Sequence, residues 1–173
     1  GFSNKEIDST TINLLFEAAR WSPSSYNAQP WNFIIGNKST SLDVYNRLHS
    51  LLVEYNQGWT ITAPVLILSF TNLKFQNGKD NPCAEYDLGQ AVAYLTFQAT
   101  DLGLYVHQMS GFDSKKAVDE FKIGENFKVV SVIAVGYLGD VETLNEPYKS
   151  IQQKERERKE VNGFVFSGDV CLS

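Results

Sequence analysis

Residues 22–31, SPSSYNAQPW, concentrate side chains that could bind a ligand. They provide three serine hydroxyls, one asparagine amide and one glutamine amide, and two prolines stiffen the segment. Pro30 lacks a backbone N–H and favours an extended conformation at Gln29. A stiff loop with many hydrogen-bond donors and acceptors suits an uncharged, heterocycle-rich ligand. An ordinary capped loop between a helix and a strand has a similar composition and is the alternative interpretation.

Two carboxylates, Glu85 and Asp87, lie near the start of a long helical pattern. Paired carboxylates can perform acid–base catalysis, but a two-residue spacing directs them to different faces of a helix. Acidic residues in a first turn also interact favourably with the helix dipole, and this structural interpretation is the stronger one.

A third candidate segment, HQMSGFD at residues 107–113, follows a short apolar run. Gly111 would let the backbone approach a ligand closely, and ligands in αβ folds often bind at strand ends. His107 could act as a base, although a histidine beside a strand is more often a structural residue.

The segment KERERKE at residues 154–160 alternates in charge. Such a run is usually the solvated face of a helix. Alternatively, Arg156, Arg158 and Lys159 could converge on a phosphate group, which arginine side chains bind well.

These segments must be positioned by predicted helices and strands. Hydrophobic spacing predicts helices over residues 9–20, 42–55, 83–102 and 114–121, with partial helix over 144–156. Strands are predicted over 31–35, 65–70, 104–106, 129–135 and 164–166, and polar loops over 56–62 and 72–82. The run VLILSF at 65–70 suits a central strand covered on both faces. Alternating strands and helices predict one layered αβ domain over residues 1–173.

Composition excludes several classes of protein. The chain has 173 residues, a net charge of −5 and a pI near 5.0, which argues against nucleic-acid binding. It has no run of 18 apolar residues and no visible secretory signal, so we expect a cytoplasmic protein that does not span a membrane. Its two cysteines, Cys83 and Cys171, and its two histidines show no metal-ligand spacing. Dinucleotide-binding glycine motifs, the P-loop and the serine nucleophile motif are absent.

Six segments, in their order along the chain, resemble the FMN-dependent nitroreductase family of NAD(P)H-dependent flavoproteins. They are AARWSPSSYNAQPW (18–31), NQGW (56–59) followed by Ala63 and Pro64, YDLGQ (86–90), LGLYVHQMSGFD (102–113), VGYLGD (135–140) and RERK (156–159). The resemblance covers nearly the whole chain. It implies an α+β, nitroreductase-like fold, with a central, mostly antiparallel sheet flanked by helices, in an intertwined homodimer.

The resemblance also implies a cofactor site. Two FMN molecules would lie at the dimer interface, each contacted by both subunits. One subunit would contribute Pro23, Ser24, Ser25, Asn27 and Gln29. Asn56 would bond the edge of the isoalloxazine ring, the backbone of Ser110 and Gly111 would face flavin N5, and Arg156, Arg158 and Lys159 would hold the phosphate. A basic segment that family members carry upstream of the position of Gly1 is missing from this sequence.

The expected activity is transfer of hydride from NADH or NADPH through flavin N5 to a nitroaromatic, quinone or similar electron-poor acceptor. A shared site predicts ping-pong kinetics, with the flavin rather than a side chain performing the chemistry. The alternatives are a non-catalytic flavin-binding or dimeric interaction protein on the same scaffold, and a related flavin dehydrogenase. Ser110 occupies a position that varies in the family, so the acceptor is left open.

Overall fold

Four antiparallel strands form one sheet in the computed structural model, which describes residues 1–168 and therefore not Cys171. The strands are β1 (Trp31–Asn37), β2 (Val65–Asn72), β3 (Tyr105–Met109) and β4 (Phe127–Gly136). Their order across the sheet is β1-β2-β4-β3, so β1 and β3 are the two edges. Trp31 pairs with Thr71 at one end of the sheet, and Met109 pairs with Val132.

Helices cover both faces of this sheet. They are α1 (Ser9–Arg20), α2 (Leu42–His49), α3 (Glu54–Thr60), α4 (Ala84–Asp101), α5 (Ser114–Phe121) and α6 (Tyr148–Gln153). Three short 3-10 helices lie at Ser25–Asn27, Val141–Thr143 and Val161–Gly163. The expected α+β fold with an antiparallel sheet is confirmed. Within residues 1–168, every helix is too short or too polar to cross a membrane.

Alternating residues of β2 divide the core into two layers. Leu66 and Leu68 pack with Leu48 of α2 on one face, whereas Val65 and Ile67 pack against α1 and α4 on the other. All four β2 residues are fully buried. Successive side chains of a strand point to opposite faces of the sheet. A strand that is buried on both faces therefore requires the continuous apolar run seen here. The central position predicted for this strand is confirmed.

Local capping agrees with most of the predicted helix ends. The Asp8 side chain accepts a hydrogen bond from Thr11 N at 2.9 Å and begins α1. Gly103, at φ +72°, follows the end of α4. The helix predicted over 114–121 matches α5, which begins after Asp113, whose side chain accepts a hydrogen bond from Lys116 N at 2.9 Å.

Four predictions about secondary structure are wrong. The single helix predicted over 42–55 is broken between α2 and α3, and the predicted loop 56–62 is mostly the helix α3. The break occurs because Val53 N donates to Gly111 O and Leu51 O accepts from Asp113 N, which removes these residues from helical pairing. The predicted strand 164–166 is a turn followed by irregular structure, and the charged run 154–160 is exposed and extended rather than helical.

Candidate functional site

The loop of residues 22–29 connects α1 to β1 and is fastened to the start of α4. The buried carboxylate of Asp87 accepts a hydrogen bond from Ser25 N at 3.0 Å. Ser24 Oγ accepts from Gln29 N at 3.0 Å, and Gln29 Nε2 donates to Asn27 O at 3.2 Å. The loop therefore has a fixed shape set by its own polar groups and by one carboxylate of the neighbouring helix.

This loop also contains unusual backbone conformations. Tyr26, Asn27 and Gln29 have φ values of +52°, +54° and +46°. The left-handed region costs a residue other than glycine roughly 1–3 kcal/mol, and such strain clusters at functional sites. The extended conformation that Pro30 predicts for Gln29 is therefore wrong. Tyr26 is 92% exposed in this loop, and Pro23 and Asn27 are exposed beside it.

A second group forms where α3 meets the residues after β3. Asn56 Nδ2 donates to Gly111 O at 3.0 Å, and Asn56 Oδ1 accepts from Trp59 Nε1 at 3.3 Å. A Cβ atom on Gly111 would lie 2.7 Å from Asn56 Nδ2, so only glycine fits here without displacing the asparagine. The structure thus places Asn56 beside the adjacent residues Ser110 and Gly111, although Gly111 lies 55 positions further along the chain.

Trp59 and His107 extend this second group. Their rings meet edge to face, with centroids 4.7 Å apart. Burial lowers the pKa of His107, and the positive charges of the Gly1 ammonium and of Arg156 lower it further. The imidazole is therefore predominantly neutral at pH 7, and its contact with Trp59 is a packing contact.

Arg156, Arg158 and Lys159 are exposed and lie in the extended segment after α6. Among residues 1–168 none of the three forms an ion pair, and the hydrogen bond of Arg158 goes to the backbone of Glu157 at 2.7 Å. Their charges are therefore free to meet an anion.

The loop 22–29 and the Asn56–Gly111 group lie on opposite edges of the sheet. The loop leads directly into β1, whereas Ser110 and Gly111 directly follow β3. Three strand spacings separate these edges, a distance of about 14 Å. Within residues 1–168 no hydrogen bond joins the two groups. One chain alone therefore does not bring all the predicted site residues together.

Two residues that contribute to these groups were not predicted. Asp87 was interpreted through the helix dipole, although its carboxylate orients the backbone of Ser25. Trp59 was noted only as part of a motif, although it bonds Asn56 and packs on His107. Neither partner is local in sequence. The signal available for Asp87 is a carboxylate at a position of the buried, apolar face of α4, between Ala84 and Ala91.

Solved structures of other proteins share this fold. A solved structure described as an oxidoreductase containing FMN superposes with a TM-score of 0.92 and 28% identity, covering 99% of this chain and 87% of that one. A nitroreductase family protein from Streptococcus pneumoniae shares the fold at a TM-score of 0.71 and 20% identity, covering 97% of this chain and 94% of that one.

Sequence comparison gives the same family. A Stenotrophomonas maltophilia protein named "Putative NADH dehydrogenase/NAD(P)H nitroreductase" is 27% identical over 157 residues, which cover 79% of this chain and 78% of that protein. The model of the nitroreductase family matches residues 1–137. This protein therefore belongs to the nitroreductase family.

Proposed function

We propose that this protein is an FMN-dependent oxidoreductase that uses NADH or NADPH to reduce nitroaromatic, quinone or similar electron-poor acceptors, and that it acts as a homodimer. The similarity to an FMN-containing oxidoreductase over 99% of the chain supports the cofactor. The name of the Stenotrophomonas relative, which includes NAD(P)H nitroreductase, supports the reductant.

Among the structural observations, the backbone N–H of Gly111 supports the proposal most directly. The backbone N–H of Gly111 donates no hydrogen bond within residues 1–168, and Gly111 has no side chain to keep a ligand away. The adjacent Asn56 amide holds the Gly111 carbonyl, which fixes the direction of this peptide. A fixed, free N–H is suited to a ring nitrogen such as flavin N5.

The remaining predicted ligands fit FMN by the chemistry of their donors. Ser25 and Asn27 have side-chain polar atoms without hydrogen bonds inside the described residues, and the same holds for the Ser110 hydroxyl. The Nδ2 and Oδ1 atoms of Asn56 each form one hydrogen bond, and each can form one more. With Pro23, Ser24 and Gln29 these residues would hold the ring and ribityl chain.

The three basic side chains after α6 suit the phosphate group of FMN. Arg156, Arg158 and Lys159 supply positive charge without competing carboxylate partners among residues 1–168. Bound FMN would supply the redox chemistry, accepting hydride from NAD(P)H and passing electrons to the acceptor. The chain itself binds and orients the two partners, and it offers the Gly111 N–H at the ring.

The homodimer is inferred from the separation of the two groups. Because the loop 22–29 and the Asn56–Gly111 group lie on opposite edges of the sheet, we infer that one site takes the loop from one copy of the chain and the group from the other. Sedimentation equilibrium of the holoprotein should give twice the chain mass of 19.4 kDa. A holoprotein that is monomeric at micromolar concentration would contradict this part of the proposal.

The flavin spectrum tests the enzyme itself. Purified protein should be yellow, release FMN on denaturation and lose its visible absorbance when NADH or NADPH is added without oxygen. Protein that stays colourless after incubation with FMN would refute the proposal. Yellow protein that neither nucleotide reduces would instead favour a non-catalytic flavin-binding protein.

The phosphate contacts are tested by the double variant Arg156→Ala/Arg158→Ala. A hydrogen bond to a charged group contributes roughly 1.5–3 kcal/mol, so each lost arginine should raise the Kd for FMN about 10- to 150-fold. Lys154→Ala is the matched control, because it removes one charge from the same exposed run outside the predicted contacts. Equal FMN affinity in all three proteins would show that the run only contacts solvent.

A further inference from the structure

The helix α3, which carries Asn56, is too short to hold its own position. It has seven residues, and isolated helices shorter than about 12–15 residues are only marginally stable in water. Gly58 lies in its interior and weakens it further, because glycine is a poor helix former. The position of Asn56 must therefore be set by contacts from outside α3.

Two buried hydroxyl groups begin a series of hydrogen bonds that passes through Asn56. The Tyr45 hydroxyl, on α2, donates to Thr60 O at 3.1 Å, and Thr60 Oγ1 donates to Asn56 O at 2.6 Å. Asn56 Nδ2 then donates to Gly111 O at 3.0 Å. The series therefore connects α2 with the group that we propose to face the flavin ring.

The interior position of these hydroxyl groups keeps them as donors. Tyr45 is 2% exposed and Thr60 is 0% exposed. Burial raises the pKa of the Tyr45 hydroxyl, which therefore retains its proton. Thr60 O already accepts from Ala63 N at 2.8 Å, so the Tyr45 hydroxyl is not needed to satisfy this carbonyl. What the hydroxyl adds is a fixed separation between α2 and α3.

Two further side chains hold carbonyl oxygens toward the end of α3. His49 Nε2 lies 3.2 Å from Gln57 O, and because a carbonyl only accepts, this nitrogen carries the proton. Lys38 Nζ donates to Ile61 O, and its positive charge suits the negative end of the helix dipole. The same ammonium group lies 5.0 Å from the centre of the Tyr45 ring. These contacts fix α3 against the same face of α2.

The helix α6 contributes one more donor to α3. The Tyr148 hydroxyl donates to Tyr55 O at 3.0 Å, and the rings of these two tyrosines lie 5.1 Å apart. A Cβ atom on Gly58 would collide with the Tyr148 hydroxyl. The glycine that weakens α3 thus also admits a contact that holds it.

We propose that Tyr45 and Thr60 are positioning residues that hold the side-chain amide of Asn56 in place for the flavin ring. This inference rests on the proposed function, because it takes Asn56 as a ligand of FMN. Both residues are buried, so each acts through the backbone of α3 and not by contact with the ring. The affinity for FMN then depends on two hydroxyl groups that lie outside the predicted set of ligands.

Paired substitutions at Thr60 separate positioning from stability. Thr60→Val keeps the shape of the side chain and removes the bond to Asn56 O, whereas Thr60→Ser keeps the hydroxyl and loses a buried methyl group. Fluorescence titration of the apoprotein with FMN, at one fixed protein concentration, should give a Kd raised about two- to tenfold in Thr60→Val and in Tyr45→Phe. Thr60→Ser should bind FMN as the wild type does. Ser69→Ala is the matched control and should leave the Kd unchanged, because it removes an equally buried hydroxyl that bonds Ser131 Oγ at 2.8 Å between β2 and β4.

A double-mutant cycle with Asn56→Ala tests whether the effect passes through this amide. In the Asn56→Ala background, Thr60→Val and Tyr45→Phe should no longer change the Kd for FMN, because the group that they position is gone. Unchanged affinity in the single variants, or an equal rise in Kd with and without Asn56, would overturn the inference. So would an affinity that follows stability in urea across the Thr60 variants instead of following the hydroxyl. Wild-type protein that does not bind FMN would overturn the proposed function, and this inference with it.

Discussion

The contact between Gly111 and Asn56 predicts the effect of adding a single methyl group. In Gly111→Ala the new Cβ would lie 2.7 Å from Asn56 Nδ2 and 3.1 Å from Val53 Cγ2, closer than ordinary van der Waals contact. Asn56 must move, which breaks its bonds to Gly111 O and to Trp59 Nε1. At roughly 0.5–1.5 kcal/mol for each bond, we expect the free energy of unfolding to fall by about 1–3 kcal/mol.

Urea unfolding of the apoprotein, at one fixed protein concentration, measures this loss. A double-mutant cycle with Asn56→Ala shows whether the loss comes from the contact with Asn56. In the Asn56→Ala background the displaced atom is gone, so Gly111→Ala should cost about 1–3 kcal/mol less than in the wild type. Gly124→Ala is the matched control, because its Cβ would meet only Phe127 Cδ2 at 3.8 Å; it should change stability by less than about 0.5 kcal/mol. An equal cost of Gly111→Ala in both backgrounds would refute the steric reasoning.

Three further changes have definite expected outcomes. Asp87→Ala leaves the Ser25 N–H without its acceptor, and we expect about 1–3 kcal/mol less stability by urea unfolding together with weaker FMN binding by fluorescence titration. Gly36→Ala would place a Cβ 2.5 Å from backbone atoms of α2, and thermal unfolding should show a loss of roughly 1–3 kcal/mol. The hydrogen bond from Arg20 is the main cause that lowers the pKa of Glu17 to about 2, so this interaction stabilises the protein above pH 4.5 and is lost as the pH falls toward 2. Glu17→Gln should therefore be less stable than the wild type at neutral pH, with the difference disappearing in urea titrations between pH 4.5 and 2; a constant difference would contradict this assignment.

Apolar patterning predicted the parts of the fold whose stability comes from burial. The run at 65–70 was predicted as a central strand because a short apolar run suits a strand that is buried on both faces. The long helix α4 was predicted within two residues for the same reason, since its buried face repeats with helical spacing. The break between α2 and α3 could not be predicted, because the spacing of Leu48, Leu51 and Leu52 continues through it and the bonds that cause it come from residues 111–113.

The candidate site was predictable as a set of residues but not as an arrangement. Resemblance identified the loop 22–29, Asn56 and Gly111 in order along the chain, and the structure shows which of them meet. It did not reveal that Asp87 orients the loop or that Trp59 bonds Asn56, because both contacts join distant segments. The left-handed backbone of Tyr26 was equally hidden, since the sequence places no glycine there.

In the proposed dimeric site, the position of the two groups on opposite sheet edges would connect cofactor loading with protein concentration. If each FMN takes ligands from two copies, a chain diluted to the monomer keeps only part of the ligand set and releases its flavin. Linkage makes the effect mutual, so FMN strengthens the dimer by the same free energy by which dimerisation strengthens FMN binding. The expression level of the protein would then determine the fraction that carries cofactor as well as the total amount present.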